Sequence, residues 1–261
     1  MLNRQLAPIT EEAWKEIDER AKEVLRSYLS ARKVVRVEGP RGWDYTAITE
    51  GRLENIREGN DVCFGNYSVL PLIEVRAEFE MNRWELDNIM RGAKDIDYKP
   101  LEKAVEKIAL FEENAIYNGL KEAKIKGILD ISKGNEITLG RDSTSILKSI
   151  AKGVLKLKEV YADSPYDLII GKDVYEIVQS ENPGYPLDRK IKDLIKGDIV
   201  FSHVIDGAVL IPHAHEDLEF TIGQDFSIGY QSNDNKNVRF FITESFTFRI
   251  LDPSIIVSYK L

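Results

Sequence analysis

The sequence predicts an α+β protein, and three patterns along the chain carry this prediction. From Val238 to Ile250 every second residue is Val, Phe, Ile or Glu, whereas the residues between them are mostly Arg, Thr and Ser. Side chains alternate faces along a strand, so this segment predicts one long strand with an apolar face to bury. Segments that begin near Thr10 and at Pro100 carry apolar residues at helical spacing. Between about 131 and 220 short helical and extended segments alternate, which predicts a separate α/β subdomain.

Composition and charge describe an ordinary globular chain. Its 261 residues, 43% hydrophobic and 31% charged, are enough for one large or two modest domains. The net charge of −8 argues against general nucleic-acid binding, which needs a basic surface. No apolar run approaches the roughly 20 residues that span a bilayer, and residues 1–7 lack the apolar region of a secretory signal. Cys63 is the lone cysteine, so we expect no internal disulfide and a cytoplasmic protein.

The first predicted helix starts after Thr10, which is suited to cap its N-terminus. Glu11 and Glu12 follow directly, and negative charge in the first turn favours the helix dipole. The apolar residues that recur at helical spacing form one stripe, which we expect to pack against the rest of the protein. This stripe comprises Trp14, Ile17, Ala21, Val24, Leu25, Tyr28 and Leu29.

An extended segment without helical periodicity runs from Trp43 to about Phe79. Its middle, 51–66, is polar and charged and is punctuated by Gly59 and Gly65. This pattern predicts a long hairpin arm that projects from the body of the protein. Such an arm buries little against its own domain and therefore needs another surface to lie on.

The remaining elements follow from the same periodicities. Pro100 can open the second long helix, because proline is tolerated in a first turn. The apolar spacing predicts that this helix continues for roughly two dozen residues, about 36 Å in length. Residues 199–211 predict two strands split at Asp206 and Gly207, and residues 232–236 predict the turn of a C-terminal hairpin. Further predicted elements are helices at 84–91, 144–161, 172–179 and 187–195 and a strand at 167–170.

A histidine pair offers one candidate for chemistry. His213 and His215 lie two residues apart, with Glu216 and Asp217 beside them, and residues two apart face the same side of a strand. The pair could hold a metal, or it could be a solvated turn after Pro212, since a third strong ligand is missing. No histidine falls on a predicted helix, which excludes a di-iron centre of the ferritin type.

The other reactive residues give little evidence for a catalytic or cofactor site. The chain contains no nucleophile elbow and no glycine-rich phosphate loop, and nothing near Cys63 predicts an activated thiol. Trp84 follows Arg76 and Arg83 and could stack on a ring with an arginine beside it, or be buried as a packing anchor. No metal site and no catalytic residue is therefore predicted beyond the histidine alternative.

Several blocks in one order resemble the family 1 encapsulins, the shell proteins of bacterial and archaeal nanocompartments. They cover essentially the whole length, and such long collinear blocks are far more specific than any single short motif. The blocks are L-A-P-I-T-E-E-A-W at 6–14, V-E-G-P-R-G-W-D-Y at 37–45, L-P-L-I-E-V-R-A-E-F-E at 70–80, G-Y-P-L at 184–187, I-G-Q-D-F-S-I-G-Y at 222–230 and F-I-T-E-S-F-T-F at 241–248.

The resemblance implies the fold of tailed-phage major capsid proteins. In that fold a peripheral domain carries a long spine helix, here about 101–123, and an axial domain meets its copies at the shell vertices. An extended loop lies over a neighbouring subunit, which would give the hairpin arm its partner in an interface of order 2,000 Å². The implied divisions are 1–42, start of the peripheral domain; 43–79, extended loop; 80–130, peripheral domain with the spine; 131–220, axial domain; and 221–261, C-terminal strands of the peripheral domain.

The same resemblance implies a structural function without catalysis by this chain. About sixty copies would close into the smallest icosahedral shell. That shell would enclose a cargo enzyme, such as a ferritin-like protein or a peroxidase, held by its C-terminal targeting peptide, in iron storage or oxidative-stress defence. No nucleic acid and no membrane is expected as a partner. The alternatives are a prophage capsid protein that packages DNA and a small metal-dependent enzyme that uses His213 and His215.

Three sets of site residues follow from the resemblance. A flavin (FMN) stacked on Trp84 with Arg76 close by occurs in some members, although no cofactor is required. The loop at the five-fold pore would be Glu181, Asn182, Pro183, Gly184 and Tyr185. The groove for the cargo peptide would be formed by Leu25, Tyr28, Leu29, Arg32, Val35 and Ile228.

Overall fold

Two five-stranded sheets and a separate two-stranded sheet organise the described part of the chain. The computed structural model describes residues 1–59, 61–132, 134, 136–180 and 186–261. The helices are α1 Glu11–Tyr28, α2 Arg83–Met90, α3 Lys99–Tyr117, α4 Ile128–Ile131, α5 Ser143–Glu159, α6 Lys172–Ser180 and α7 Leu187–Ile195. The strands are β1 Arg36–Glu38, β2 Ala47–Gly59, β3 Val62–Pro71, β4 Ile73–Asn82, β5 Glu136–Thr138, β6 Tyr166–Ile170, β7 Lys196–Phe201, β8 Ala208–Pro212, β9 Leu218–Ile222, β10 Ser227–Asn233, β11 Asn237–Ile250 and β12 Val257–Lys260. Short 3₁₀ helices span Arg4–Leu6, Ala31–Lys33, Lys121–Ala123 and Pro253–Ile255.

Helix α1 begins where the sequence predicts. The Thr10 Oγ1 accepts a hydrogen bond from the Ala13 N–H at 3.2 Å, which satisfies one of the free amides of the first turn. Ile17 and Ala21 are buried in the core. The predicted stripe continues to Leu25, which is only half-buried and faces a groove described below.

The spine helix α3 ends earlier than predicted. It covers 19 residues, with Pro100 in its first turn, and stops at Tyr117 rather than near residue 123. Gly119 follows with a φ of 82°, and a Cβ at this position would lie 2.8 Å from the backbone nitrogen of Gly127. The left-handed backbone and the close contact of these two glycines turn the chain away from the helix axis.

The first sheet is built around β11, the long strand predicted from the alternating pattern. Strand β11 pairs with β10 along 238–243, with β4 along 237–246 and with β9 along 246–250. Strand β1 joins the sheet through a parallel pairing with β9. The prediction that the extended loop reaches residue 79 is therefore corrected, because 73–82 is a strand of the body and pairs fully with β11.

The second sheet has the strand order β5-β12-β8-β6-β7. All residues of β6 and β8 are buried, as expected for central strands covered on both faces. The C-terminal strand β12 pairs with β5 and β8 in this sheet. This corrects the expectation that the strands of 221–261 all belong to the peripheral domain, because β12 joins the sheet formed by strands from 131–220.

The hairpin of β2 and β3, called the arm from here on, forms a sheet of its own. Beyond Ile48 every residue of β2 is exposed. The Leu72 N–H donates to the Thr46 carbonyl at 2.8 Å and closes the base of the arm. The arm meets the body near this base, where Nη1 of Arg249 on β11 donates to the Thr49 carbonyl at 3.4 Å.

Two clusters of buried residues fill the body. One lies between α1, α3 and the β4, β10 and β11 strands and includes Ile17, Val105 and Phe240. The other surrounds the second sheet and also takes in Phe220 and Phe246 from the first. The two sheets thus each have a core, and the C-terminal end of β11 lies where those cores meet.

Candidate functional site

A groove of about 410 Å³ lies between α1 and the edge of the first sheet. Of the residues predicted for a peptide groove, Leu25, Leu29, Arg32 and Ile228 line it. No sequence pattern indicates that the remaining lining residues lie together, because they come from the N-terminal segment 1–6, from α1, from the loop before β10 and from strands β10 and β11. These residues are Leu2, Arg4, Asp18, Ala21, Lys22, Asp225, Phe226, Ser227 and Ile242.

Two predicted groove residues lie outside this cavity. Val35 is only 3% exposed and packs in the core around the second sheet, so no ligand reaches it. The ring of Tyr28 faces His203 instead, with 4.6 Å between ring centroids. Tyr28 therefore faces away from the groove, although Leu25 and Leu29 on either side of it in sequence line the cavity.

Arg32 forms one wall of the groove and ties three parts of the chain together. Its Nε and Nη2 atoms donate to Glu112 on α3, and Nη2 also donates to Glu244 on β11 at 3.0 Å. Its Nη1 atom donates to Asp225 at 2.8 Å. The guanidinium also lies 4.7 Å from the ring centre of Phe226, so apolar and charged contacts both hold it in place.

The carboxyl groups behind Arg32 are buried. Glu112 and Glu244 have no exposed surface. Burial, together with the neighbouring charge of Glu112, raises the pKa of Glu244 well above its usual value. Burial by itself would lower the pKa of the Arg32 guanidinium, but Glu112, Glu244 and Asp225 reverse this and raise it. Arg32 is thus a permanent cation held at the groove.

A third buried carboxyl group fixes the end of α1. The Glu113 Oε1 accepts hydrogen bonds from the Ser30 and Ala31 N–H groups at 2.9 Å and 2.8 Å. The Ser30 hydroxyl donates to the other oxygen of Glu113 and lies 3.0 Å from the Tyr117 hydroxyl. Burial raises the pKa of Glu113 to about 7 despite these hydrogen bonds.

The N-terminal segment 1–6 closes one end of the groove. The Tyr230 N–H on β10 donates to the Leu2 carbonyl at 2.8 Å. Arg4 forms two hydrogen bonds to Asp18 on α1, at 3.1 Å and 2.7 Å, and lies 4.0 Å from the ring centre of Trp14. Hydrophobic periodicity carries no signal for such a segment, which is why sequence reasoning missed it.

The predicted flavin pair is not brought together within one chain. Trp84 is 68% exposed, so the alternative of a buried packing anchor is wrong, and Arg91 lies 5.5 Å from its ring centre. Arg76 instead stacks on Phe241 at 4.2 Å. Five strand residues lie between Arg76 and Asn82, the residue before α2, so these two residues are about 20 Å apart along the strand. The residues of one chain therefore do not fit a flavin, and its binding stays a prediction.

The five residues predicted to line a pore, Glu181 to Tyr185, lie outside the described residues. Helices α6 and α7 flank them on either side. Their assignment to a pore stays a prediction.

The histidine pair does not form a metal site. The His213 Nδ1 lies 2.6 Å from Oδ2 of the buried Asp167, whereas the His215 Nδ1 accepts from the Asp217 N–H at 3.2 Å. Ala214 between them has a φ of 47°, so the premise of a common strand face is wrong. Among the described residues no group of three or more His, Cys, Asp or Glu could hold a metal ion.

The arm presents an unusual apolar surface. Leu53 and Tyr67 lie directly opposite each other in its ladder and are 50% and 78% exposed. Phe64 is 60% exposed near the tip, and Cys63 beside it is free and exposed, as expected. Large apolar side chains in a projecting hairpin indicate a surface that another molecule covers. The remaining large exposed apolar residues of the arm are Ile56, Val62 and Val69.

Solved structures share this architecture. A virus-like particle from Pyrococcus furiosus matches with a TM-score of 0.69 and 19% identity, covering 94% of this chain and 98% of that chain. The capsid of Myoviridae phage XM1 matches with a TM-score of 0.59 and 13% identity, covering 89% and 92%. The fold is therefore that of capsid-type shell proteins, which confirms the predicted fold class.

Sequence comparison narrows this class to a family. A family model described as "Encapsulating protein for peroxidase" matches residues 1–247. Type 1 encapsulin shell proteins of Rhodospirillum rubrum and Mycobacterium tuberculosis are 36% and 34% identical, covering 99% and 95% of this chain and 96% and 94% of those proteins. The chain belongs to the encapsulin shell proteins, a family of structural components and not enzymes. No helix in the described part of the chain is long and apolar enough to cross a membrane.

Proposed function

We propose that about sixty copies of this chain close into a hollow icosahedral shell in the cytoplasm. The observation that carries this proposal is the arm, whose apolar side chains are exposed in the single chain. Covering each large apolar side chain contributes about 1.5–3 kcal/mol, so a neighbouring subunit that covers several of them would stabilise the assembly strongly.

Electron microscopy and sedimentation of the purified protein test the shell. Uniform hollow particles are expected. A well-folded monomer or dimer at micromolar concentration would contradict the proposal, and particles much larger than about sixty subunits would overturn the stoichiometry alone.

The groove is proposed to hold the C-terminal targeting peptide of a cargo enzyme. Leu25 and Ile228 supply apolar contacts there, and Arg32 supplies a fixed charge. A single short peptide binds weakly, but an oligomeric cargo that engages several identical grooves gains affinity without new contacts.

Cargo capture is tested with shells purified from the native source. Mass spectrometry of their contents is expected to find one abundant protein besides the shell. Leu25→Glu, at a half-buried position, and the milder Ile228→Ala, at a buried one, are expected to reduce the amount of that protein while shells still form. Lys15→Glu, on an exposed face of the same helix, is the matched control. If the groove variants retain full cargo, the groove is not the docking site.

The biological role is proposed to be iron storage or defence against oxidative stress. This role depends on the cargo, so it is tested by assaying the recovered protein for iron oxidation and for peroxidase activity. A cargo with neither activity would refute the role and leave the shell unaffected.

A prophage capsid that packages DNA remains the second candidate, because phage capsids share the fold. The net charge of −8 weighs against it, since packaged DNA needs counter-charge on the inner surface. The ultraviolet absorbance ratio of nuclease-treated particles separates the two proposals. Particles rich in nucleic acid would favour the capsid.

A further inference from the structure

Strand β10 is an edge strand that the chain has already begun to extend. In the described part of the chain it pairs with β11 alone. On its other side the Tyr230 N–H donates to the Leu2 carbonyl at 2.8 Å. The N-terminal segment thus forms one rung of an added strand.

Among the described residues, the next rung along β10 has no backbone hydrogen-bond partner, and it lies at the groove. In an antiparallel ladder the residues alternate between pairs that exchange hydrogen bonds and pairs that direct both polar groups outward. Tyr230 directs its N–H outward, and the register is unbroken from Ile228 to Tyr230. Ile228, two residues away, therefore also directs its N–H and C=O outward, and this residue lines the groove.

We infer that the groove takes an extended peptide that adds to the edge of β10 at Ile228, in line with Leu2. This inference rests on the proposed function of the groove and states how the peptide is recognised. Backbone hydrogen bonds from Ile228 hold the peptide, and alternate peptide side chains point between α1 and the sheet.

The side chains around the groove define the chemistry of the peptide. The inner wall is apolar, with Leu25, Leu29 and Ile228, so every second peptide residue in the groove is apolar. Arg4 is paired with Asp18, and Arg32 with Asp225. Lys22 is exposed on α1 and has no ion pair within the described residues.

Charge complementarity therefore assigns a partner to Lys22. Arg4 pairs with Asp18, and Arg32 pairs with Asp225 and two buried carboxyl groups, which leaves Lys22 as the lining cation without an ion pair in the described residues. The peptide accordingly places a carboxylate at the end of the groove near α1. An exposed pair of this kind contributes little affinity, about 0–1 kcal/mol, and mainly selects the peptide.

Backbone methylation of the peptide tests strand addition. The probe is a synthetic copy of the C-terminal tail of the protein recovered from purified shells, measured on empty recombinant shells by fluorescence anisotropy. Methylating the backbone nitrogens one at a time is expected to weaken binding about five- to tenfold at the position bonded to Ile228. Methylation of the neighbouring nitrogens, which point away from β10, is the matched control.

The outcomes separate this inference from the proposal beneath it. If the tail binds and groove variants abolish binding, but no single methylation matters, the peptide binds without adding a strand and the inference is wrong. If the tail does not bind, the proposed function of the groove is wrong and the inference falls with it. Hydrogen exchange gives a second readout, since the Ile228 amide is expected to become protected only when the tail is bound.

Lys22→Glu tests the charge assignment independently. This variant is expected to lower the affinity for a tail with an acidic residue about two- to fivefold at low salt, with a smaller effect at high salt. Lys15→Glu on the same helix is the control, because it makes the same charge change away from the groove. Equal effects of the two variants would overturn the assignment.

Discussion

The guanidinium of Arg32 lies against the carboxylate of Glu112, with 2.5 Å between Nη2 and Oε2, although Glu112 has no exposed surface. Glu244, equally buried, lies on the other side of the same guanidinium. One cation at the groove therefore donates to buried carboxyl groups of both the spine helix and the central strand. The integrity of the groove and the stability of the body depend on the same residue.

Replacing Arg32 by methionine is expected to destabilise the protein by about 3–5 kcal/mol, because it leaves Glu112 buried without its partner. Denaturant unfolding of the purified protein measures this change. Arg20→Met is the matched control, since Arg20 pairs with Glu102 in a much more exposed position, and it is expected to cost about 1 kcal/mol or less. Equal losses in the two variants would refute the role assigned to burial.

Glu113 is expected to make stability depend on pH. Its pKa is raised from 4.5 to about 7 in the folded chain. The folded protein therefore binds the proton more tightly than the unfolded one, so this contribution is fully present below about pH 4.5 and is lost as the pH rises through about 7.

Glu113→Gln keeps an acceptor for the Ser30 and Ala31 N–H groups but cannot ionise. As the pH rises through this window, we expect the melting temperature of the variant to fall less than that of the natural protein. The corresponding difference in unfolding free energy is up to about 3 kcal/mol. Thermal melting of assembled shells at a series of pH values measures it. Glu23→Gln, at an exposed site, serves as control, and an unchanged slope in Glu113→Gln would contradict the prediction.

The arm is expected to control assembly and not folding. Leu53→Asp and Tyr67→Asp place charge on the exposed apolar pair and should prevent shells from forming, because burying an unpaired charge is costly. Size-exclusion chromatography and circular dichroism are expected to show a smaller species with unchanged helix content. Glu58→Ser, elsewhere in the arm, should still assemble. Shells of normal size from both Asp variants would exclude the arm as an interface.

Trp84 provides a test of flavin binding in assembled shells, which does not depend on whether the site forms within one chain or between chains. If shells bind flavin at this residue, they absorb in the flavin bands, and Trp84→Ala removes that absorbance. Arg76→Ala is expected to do the same only if assembly brings the two residues together, since in one chain Arg76 stacks on Phe241 and Trp84 lies beside Arg91. Yellow shells with Trp84→Ala would defeat the hypothesis.

Much of the fold could be read from local patterns. The alternating residues of β11, the Thr10 cap of α1 and the bounds of α7 all follow from rules that act over a few residues. The early end of α3 could not be predicted in this way, because the contact of Gly119 with Gly127 is set by packing. The strand β12 likewise depends on a pairing with β8 that no local pattern encodes.

The sequence by itself predicts two features, an α+β fold and a projecting arm whose side chains need another surface to cover them. Both predictions depend only on hydrophobic periodicity and polarity. The groove depended on folding, because Arg32 and Asp225 are 193 residues apart in sequence and meet only in the tertiary structure. Val35 shows the same limit, since its apolar side chain suits a groove and a core equally well, and packing assigned it to the core. Local patterns tell which side chains must be covered, and tertiary contacts determine what covers them.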